Sequence, residues 1–263
     1  MADRVTEGFH RLEQALGDSR ATPDLDWVAA LADTSVEEAR AALAELIAQV
    51  PLEERVRRTL RSGGREQYAS ILAPFELYAL TRLLRPAHIV EVGVSSGISS
   101  THFLLALRQN RGGTLHSIDL PTRQRGPSLL PGESAVSLPP GRRTGWGVPP
   151  ELRDGWELSI GPSQRLLPEL VRRLPQVDLF LHDDLHTPEH LAFELRVVAP
   201  GLRRGSVVLA DNTSWTGEAF QEFAELWGAT VVAKRGTDLL GLRIPTNRPR
   251  RSSARLPVSS SRG

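Results

Sequence analysis

Apolar residues recur along this chain in two rhythms. From about residue 3 to 62 they return every three or four positions, as at Val5, Phe9, Leu12 and Leu16, which is the spacing of an amphipathic helix. Thr34 and Ser35 precede VEEARAALAELIAQV and predict a capped helix there. Pro51 opens another short helix, and Ser62-Gly63-Gly64 marks a break. From Glu66 onward short β-type runs alternate with helical stretches. A helix at about 71–84 leads into strand HIVEVG, then helix 98–109, strands TLHSID and WELSIG, helix 163–173, strand VDLFLH, helix 187–199, strand SVVLAD and helix 215–226. TVVAKR and LLGLRI close the pattern as a pair of strands. This alternation predicts an α/β fold, a Rossmann-like doubly wound, mostly parallel sheet of seven strands with one terminal antiparallel strand and helices on both faces.

Three units follow: a helical appendage over 1–64, an α/β domain over 65–245, and a polar, basic tail over 246–263 whose composition reads as disordered. The appendage is a candidate dimerisation element for a homodimer, a candidate lid, or a plain packing element. Inside the α/β domain, residues 121–150 are rich in Pro, Gly and Arg. A loop of that length in a compact domain is a functional lid or a disordered insert.

Composition narrows the chemistry. The formal net charge of the 263 residues is +1, which gives no whole-molecule case for a nucleic-acid or membrane partner. No cysteine is present, so disulfides, thiolate metal sites and cysteine nucleophiles are excluded, and a cytoplasmic setting is the default. The first residues lack the apolar core of a signal peptide, and no window is apolar for long enough to span a bilayer. Lys234 is the only lysine, so almost no position can supply a lysine base.

The strongest local signal is Glu91-Val92-Gly93-Val94-Ser95-Ser96-Gly97, at the end of the first strand and ahead of a helix. Gly93 and Gly97 let the backbone turn tightly against a ligand, and ligands of open α/β sheets bind beyond the carboxyl ends of the strands. Such a turn also serves nicotinamide dinucleotides, or structure alone, but the G-x-G-x-x-G spacing is absent. Asp119 ends the next strand, where an acid can accept hydrogen bonds from both hydroxyls of a ribose. Gly161-Pro162-Ser163-Gln164 stands at the tip of the third, either as a plain helix cap or as part of the same site.

With these three tips the chain resembles the class I S-adenosylmethionine-dependent methyltransferases, and within them the catechol O-methyltransferase-like enzymes, over roughly 70–245. More distantly, EVGVSSGISS, SIDLP and HDDLHT resemble bacterial small-molecule methyltransferases, some of which act on sugars. The resemblance implies S-adenosylmethionine as cofactor, with Glu91, Gly93 and Ser99 lining its methionine side and Ser95 and Gly97 completing the turn. It also implies Asp119 on the ribose, and Ser163 and Gln164 at the adenine.

VDLFLHDDLHT and VVLADN end two parallel strands and project Asp183, Asp184, His186, Asp211 and Asn212 onto one rim. Asp183, Asp211 and Asn212 offer the oxygen ligands that a hard divalent cation such as Mg2+ prefers. The interval from 183 to 211 is 211 − 183 = 28 residues, which matches the catechol family, as does LADN. Where that family carries a lysine three residues after the first metal aspartate, this chain has His186. Histidine suits a general base near neutral pH, and its presence weighs against a catechol substrate. Blander readings stand beside these: Asp184 as a solvated loop acid, His182 as a structural hydrogen-bonding residue, His190 as a surface residue, and Asp211-Asn212 as a helix cap. Trp146, Trp156 and Trp215 are candidate walls of an apolar pocket, and Arg142 and Arg143 candidate partners of an anionic group. The leading expectation is therefore metal-assisted O-methylation of a hydroxylated small molecule, a natural product or a sugar. A nicotinamide-dependent oxidoreductase and a non-catalytic cofactor-binding module are the alternatives.

Overall fold

The computed structural model describes residues 23–47, 73–120, 138 and 141–246. The apolar stripe from Val5 to Leu16, the helix at Pro51, the break at 62–64, most of the 121–150 insert and the tail beyond 246 lie outside the described residues.

Seven strands form one sheet: β1 His88–Val92, β2 Thr114–Asp119, β3 Trp156–Ile160, β4 Val177–His182, β5 Leu202–Ala210, β6 Val231–Ala233 and β7 Leu240–Arg243. They are ordered β3-β2-β1-β4-β5-β7-β6. The first five pair in parallel, and β7 runs antiparallel to both β5 and β6. The expected sheet and its antiparallel strand are both present. The described helices are α1 Leu25–Ala32, α2 Val36–Ile47, α3 Pro74–Leu84, α4 Ile98–Asn110, α5 Ser163–Arg173, α6 Pro188–Val198 and α7 Ala219–Trp227.

Period-two alternation sorts the strand side chains onto two faces. Ile89, Leu179, Leu181, Val207 and Leu209 meet Trp27, Leu43, Leu77, Tyr78 and Phe103 from α1 to α4. Val90, Phe180 and Val208 meet Leu167, Leu191, Leu195, Phe220 and Phe223 from α5 to α7. Because Glu91 shares its face with Ile89, and His182 shares its face with Phe180, these two buried polar residues address opposite helical layers.

The sequence signals for α2 hold in detail. Ser35 Oγ accepts from the Glu38 amide at 3.2 Å, and Glu38 Oε2 accepts from the Ser35 amide at 3.1 Å, a reciprocal capping box. Pro74 sits in the first turn of α3, where its missing N–H costs nothing. Two expected boundaries differ. Strand β5 starts at Leu202, which pairs with Val177 before an irregularity that leaves Arg203 and Arg204 facing solvent and resumes the register at Val207. Helix α7 starts at Ala219, since Thr213–Trp215 form a separate 3-10 turn and Gly217 takes a positive φ between them.

Helices α1 and α3 are tied to the turn between β6 and β7. Asp24 caps α1 by accepting from the Trp27 amide, and its other oxygen accepts from the Arg235 amide at 2.9 Å. Trp27 Nε1 donates to the carbonyl of Val232 at 3.1 Å. Lys234, 4% exposed, places its ammonium 3.2 Å from Glu76 on α3. Among the described residues no helix is long and apolar enough to cross a membrane.

Candidate active site

The carboxyl ends of β1, β2, β4 and β5 form one rim. Parallel register sets Val92 beside Ile118 and His182, and His182 beside Ala210, so the residues that follow these strands emerge at one level. The Asp183 amide donates to Val92 carbonyl at 2.8 Å, and the Asp211 amide to His182 carbonyl at 3.0 Å.

Gly93 opens the turn after β1 with φ +92, and Gly97 closes it with φ +88. A Cβ on Gly93 would lie 1.8 Å from the Asp183 carbonyl oxygen, and one on Gly97 would lie 2.5 Å from Val148. Both glycines are thus needed for close backbone approach as well as for conformation. Ser95 also has positive φ, at 49, between them.

Glu91 is fully buried. Its carboxylate accepts from Ser99 Oγ at 2.5 Å, Ser100 Oγ at 2.7 Å and Ser117 Oγ at 2.6 Å. Its direct partners are therefore the hydroxyls of β2 and of the first turn of α4. Burial pushes its pKa up to about 7 against the lowering effect of the three serines. Ser117 was legible from register, since it pairs directly with Glu91. Asp119 accepts from the Val94 amide at 3.1 Å and from Thr144 Oγ1 at 2.5 Å.

On the rim proper, His186 Nε2 stands 3.7 Å from Asp183 Oδ1, and His186 Nδ1 stands 3.4 Å from Asn212 Nδ2. Asn212 takes a left-handed conformation, φ 51, that turns its amide toward the histidine. With the amide nitrogen facing Nδ1, a neutral ring carries its proton on Nε2. With the amide turned over, Nδ1 carries the proton and Nε2 becomes the acceptor. Asp183 and Asp211 repel each other. Burial first, and then the Asp183 charge, push Asp211 up to about 7, and burial raises Asp183 as well. Trp215 packs on His186 with ring centroids 5.9 Å apart. Arg142 lies over Trp146 at 4.9 Å, and Trp156 packs against Gly145.

Behind the rim, on the α5–α6 face, lies a second polar cluster. His182 Nδ1 is 2.8 Å from Glu194 Oε2 and 3.3 Å from Asp184 Oδ1. His190 Nε2 is 3.0 Å from Asp184 Oδ2 and 3.1 Å from Glu194 Oε1. Two carboxylates thus bridge two imidazoles in a closed ring. Ser163 Oγ and Gln164 Nε2 each reach His190 at 3.2 Å. His190 is therefore a buried ion-pair partner, and Asp184 is held by two histidines, where the sequence suggested surface positions. The i, i+4 spacing of His190 and Glu194 on one helix was the available signal. Burial lowers the His190 pKa, but the bonds and charges of Asp184 and Glu194 outweigh it and raise the group to about 10. His182, Asp184 and Glu194 bring ligand atoms within 4.8 Å of one another. His190 already bridges the two carboxylates of this trio.

Glu91 and His190 contribute to the pH dependence of stability in the same sense as the raised Asp211. A carboxyl whose folded pKa is raised, as at Glu91, adds stability that is complete below its ordinary pKa and lost as pH rises through about 7. For Glu91 this is worth on the order of 3 kcal/mol. A histidine whose folded pKa is raised adds stability that is complete below pH 6.5 and lost toward about 10. Both act in the same sense, so the thermal midpoint should fall between pH 6 and pH 9, and Glu91→Gln should flatten the portion below pH 8. A midpoint that rises over this interval in a calorimetric series would contradict both assignments.

The strand order, the glycine turn and the acid-tipped rim are those of the class I S-adenosylmethionine-dependent methyltransferase fold. Residues 90–213 match the family described as a methyltransferase domain. Among solved structures, the chain is similar to the O-methyltransferase from Bacillus cereus in complex with SAH, at 16% identity and a TM-score of 0.50, covering 72% of this chain and 90% of that one. It is also similar to the O-methyltransferase TomG from Streptomyces achromogenes, involved in tomaymycin synthesis and solved with SAM, at 19% identity and 0.50, covering 74% and 89%. CalS11, a calicheamicin methyltransferase, is 20% identical at 0.50, covering 79% and 91%. At these identities the likeness is one of fold. No curated protein matches the chain by sequence. The match of residues 90–213 to a methyltransferase domain favours that reading over the nicotinamide-dependent one.

Proposed function

We propose that this protein transfers the methyl group of S-adenosylmethionine to a hydroxyl oxygen of a small molecule, of natural-product or sugar type, at the rim formed by Asp183, His186, Asp211 and Asn212. The observation that carries the reading is the meeting of two repelling carboxylates, an amide and a histidine at adjoining strand ends. The likeness to TomG and to the Bacillus cereus protein, both O-methyltransferases, supports oxygen as the acceptor.

The residues fit the cofactor. Gly93 and Gly97 let the turn after β1 pack tightly on Asp183 and on Val148 and Gly145, and the Asp119 carboxylate beside that turn is an acceptor suited to a ribose diol. Ser163 and Gln164, expected at the adenine end, follow the neighbouring strand tip with their side chains turned to His190. The bound cofactor supplies an electrophilic methyl on a sulfonium. The chain's contribution is to orient the acceptor in line and remove its proton. His186 takes that proton on Nε2 when Asn212 presents its carbonyl oxygen to Nδ1–H, and Trp215 shields the imidazole from water.

Asp183, Asp211 and Asn212 form an all-oxygen donor set suited to a divalent cation such as magnesium, which would relieve the repulsion between the two carboxylates. Such an ion would lower the pKa of an acceptor hydroxyl. The test is methyl transfer from labelled S-adenosylmethionine to a panel of phenols, nucleotide sugars and polyketide-like alcohols, with chelator and magnesium add-back. Ether products are expected. Chelation should lower the rate at least ~100-fold, reversibly, while S-adenosylhomocysteine affinity holds. Full turnover in chelator would remove the metal from the reading, and exclusive N-methylation would remove the hydroxyl acceptor.

A further inference from the structure

The connection between β2 and β3 returns to the cofactor turn and is fastened there. The Gly145 amide donates to the Ser95 carbonyl at 2.8 Å, and the Gly147 amide to the Ser96 carbonyl at 2.9 Å. Gly145 lies so close to the Trp156 ring that a Cβ would sit 2.2 Å from it. Trp156 Nε1 in turn donates to Ser117 Oγ at 2.9 Å, and Ser117 donates to Glu91. The buried serine network around Glu91 thus extends through Trp156 to this connector. Thr144, 8% exposed and adjacent to the anchored Gly145, donates from Oγ1 to Asp119 Oδ2 at 2.5 Å. The other oxygen, Oδ1, accepts from the Val94 amide at 3.1 Å.

We propose that Thr144 is a positioning residue of the cofactor site, holding the Asp119 carboxylate in the one orientation that receives the two ribose hydroxyls of the cofactor. The inference rests on the reading of Asp119 as the ribose acceptor. An ionised carboxylate offers about four lone-pair positions. One on each oxygen is taken, by the Val94 amide and by the Thr144 hydroxyl, and one on each is left for a vicinal diol. Without Thr144 the carboxylate has a single tether and is free to rotate about its χ2, so ordering it falls to the ligand. The stretch Thr144–Gly147 near the end of the 121–150 insert therefore belongs to the cofactor site, a role that no glycine or acid motif reveals.

The test is calorimetric titration of S-adenosylhomocysteine into the intact protein and into Thr144→Val, Thr144→Ser, Asp119→Asn and the Thr144→Val/Asp119→Asn double variant. Thr144→Val should weaken binding about tenfold, the usual scale for losing a hydrogen bond to a charged group. Thr144→Ser should bind within about twofold of the parent. In the Asp119→Asn background, Thr144→Val should add little further loss, because the two residues act through one contact. Thermal midpoints of the single variants, measured alongside, separate misfolding from lost affinity. If Asp119→Asn leaves affinity unchanged, the ribose reading itself fails. If Asp119→Asn weakens binding while Thr144→Val leaves it unchanged or tightens it, Asp119 stands and the positioning role of Thr144 is overturned. A tightening would mean that the threonine hydroxyl competes with the ribose.

Discussion

His186→Ala is expected to reduce turnover by roughly 10²–10⁴-fold, the range that a positioned general base contributes. S-adenosylhomocysteine affinity should stay within about twofold, because the imidazole faces Asp183, Asn212 and Trp215 while the glycine turn belongs to β1. The split between the two readouts is the informative part. Removal of a packing residue would lower both, together with the thermal midpoint. His186→Gln keeps a polar side chain of similar reach without a basic ring nitrogen, and should be about as slow as the alanine variant. Added imidazole should restore part of the alanine variant's activity and none of the glutamine variant's. A His186→Ala enzyme that retains more than a tenth of its turnover would remove the base from the mechanism, leaving the metal-lowered hydroxyl to lose its proton to water.

The second large effect belongs to Gly93→Ala. A methyl group there would stand 1.8 Å from the carbonyl oxygen of Asp183 and 2.4 Å from its carbon, both backbone atoms that cannot rotate aside. The residue is also at φ +92, a conformation that alanine resists. Relief requires the cofactor turn and the strand that delivers Asp183 to separate by more than an ångström, and these are the two halves of the site. Loss of S-adenosylhomocysteine binding, loss of turnover and a destabilisation above about 3 kcal/mol are expected together. Gly228→Ala serves as the control. Its φ is also positive, at +60, but nothing lies within 4 Å of the added atom, so only the ~1 kcal/mol of backbone strain should appear and binding should be intact. Equal behaviour of the two variants in calorimetry and ligand titration would mean that the approach of Gly93 to Asp183 is not what the fold requires.

Much of this architecture is carried by local pattern. The alternation of apolar runs with amphipathic stretches placed all seven strands, because a parallel sheet covered on both faces needs short, continuously apolar segments. The convergence of Asp183, His186, Asp211 and Asn212 follows from the same pattern, since residues just past parallel strands share one rim. The pattern is silent on contacts made by long connections and by opposed faces. Thr144 lies 25 residues beyond Asp119 in a stretch without periodicity, so nothing in the sequence pairs them. His190 and Glu194 look like ordinary helix positions until the face of β4 that carries His182 is known. Helix α7 was drawn four residues too early because Trp215 continues the apolar spacing, whereas Gly217 breaks the backbone path. Glu91 illustrates the same limit. Its place at a strand end suggested ligand contact, yet its strand parity turns it toward three serines, and the glycine turn above it is what faces outward.

The Lys234–Glu76 pair has a practical corollary. In a protein whose other basic side chains are all arginine, the sole ε-amine is sealed between a helix and a hairpin turn, where a compact ammonium fits and the five donors of a guanidinium would go unmet. Acylating reagents, carbamylation and amine-directed crosslinkers therefore find no lysine at the surface of the native fold. Uptake of such a label at position 234 would report that the joint between α3 and the β6–β7 turn has opened.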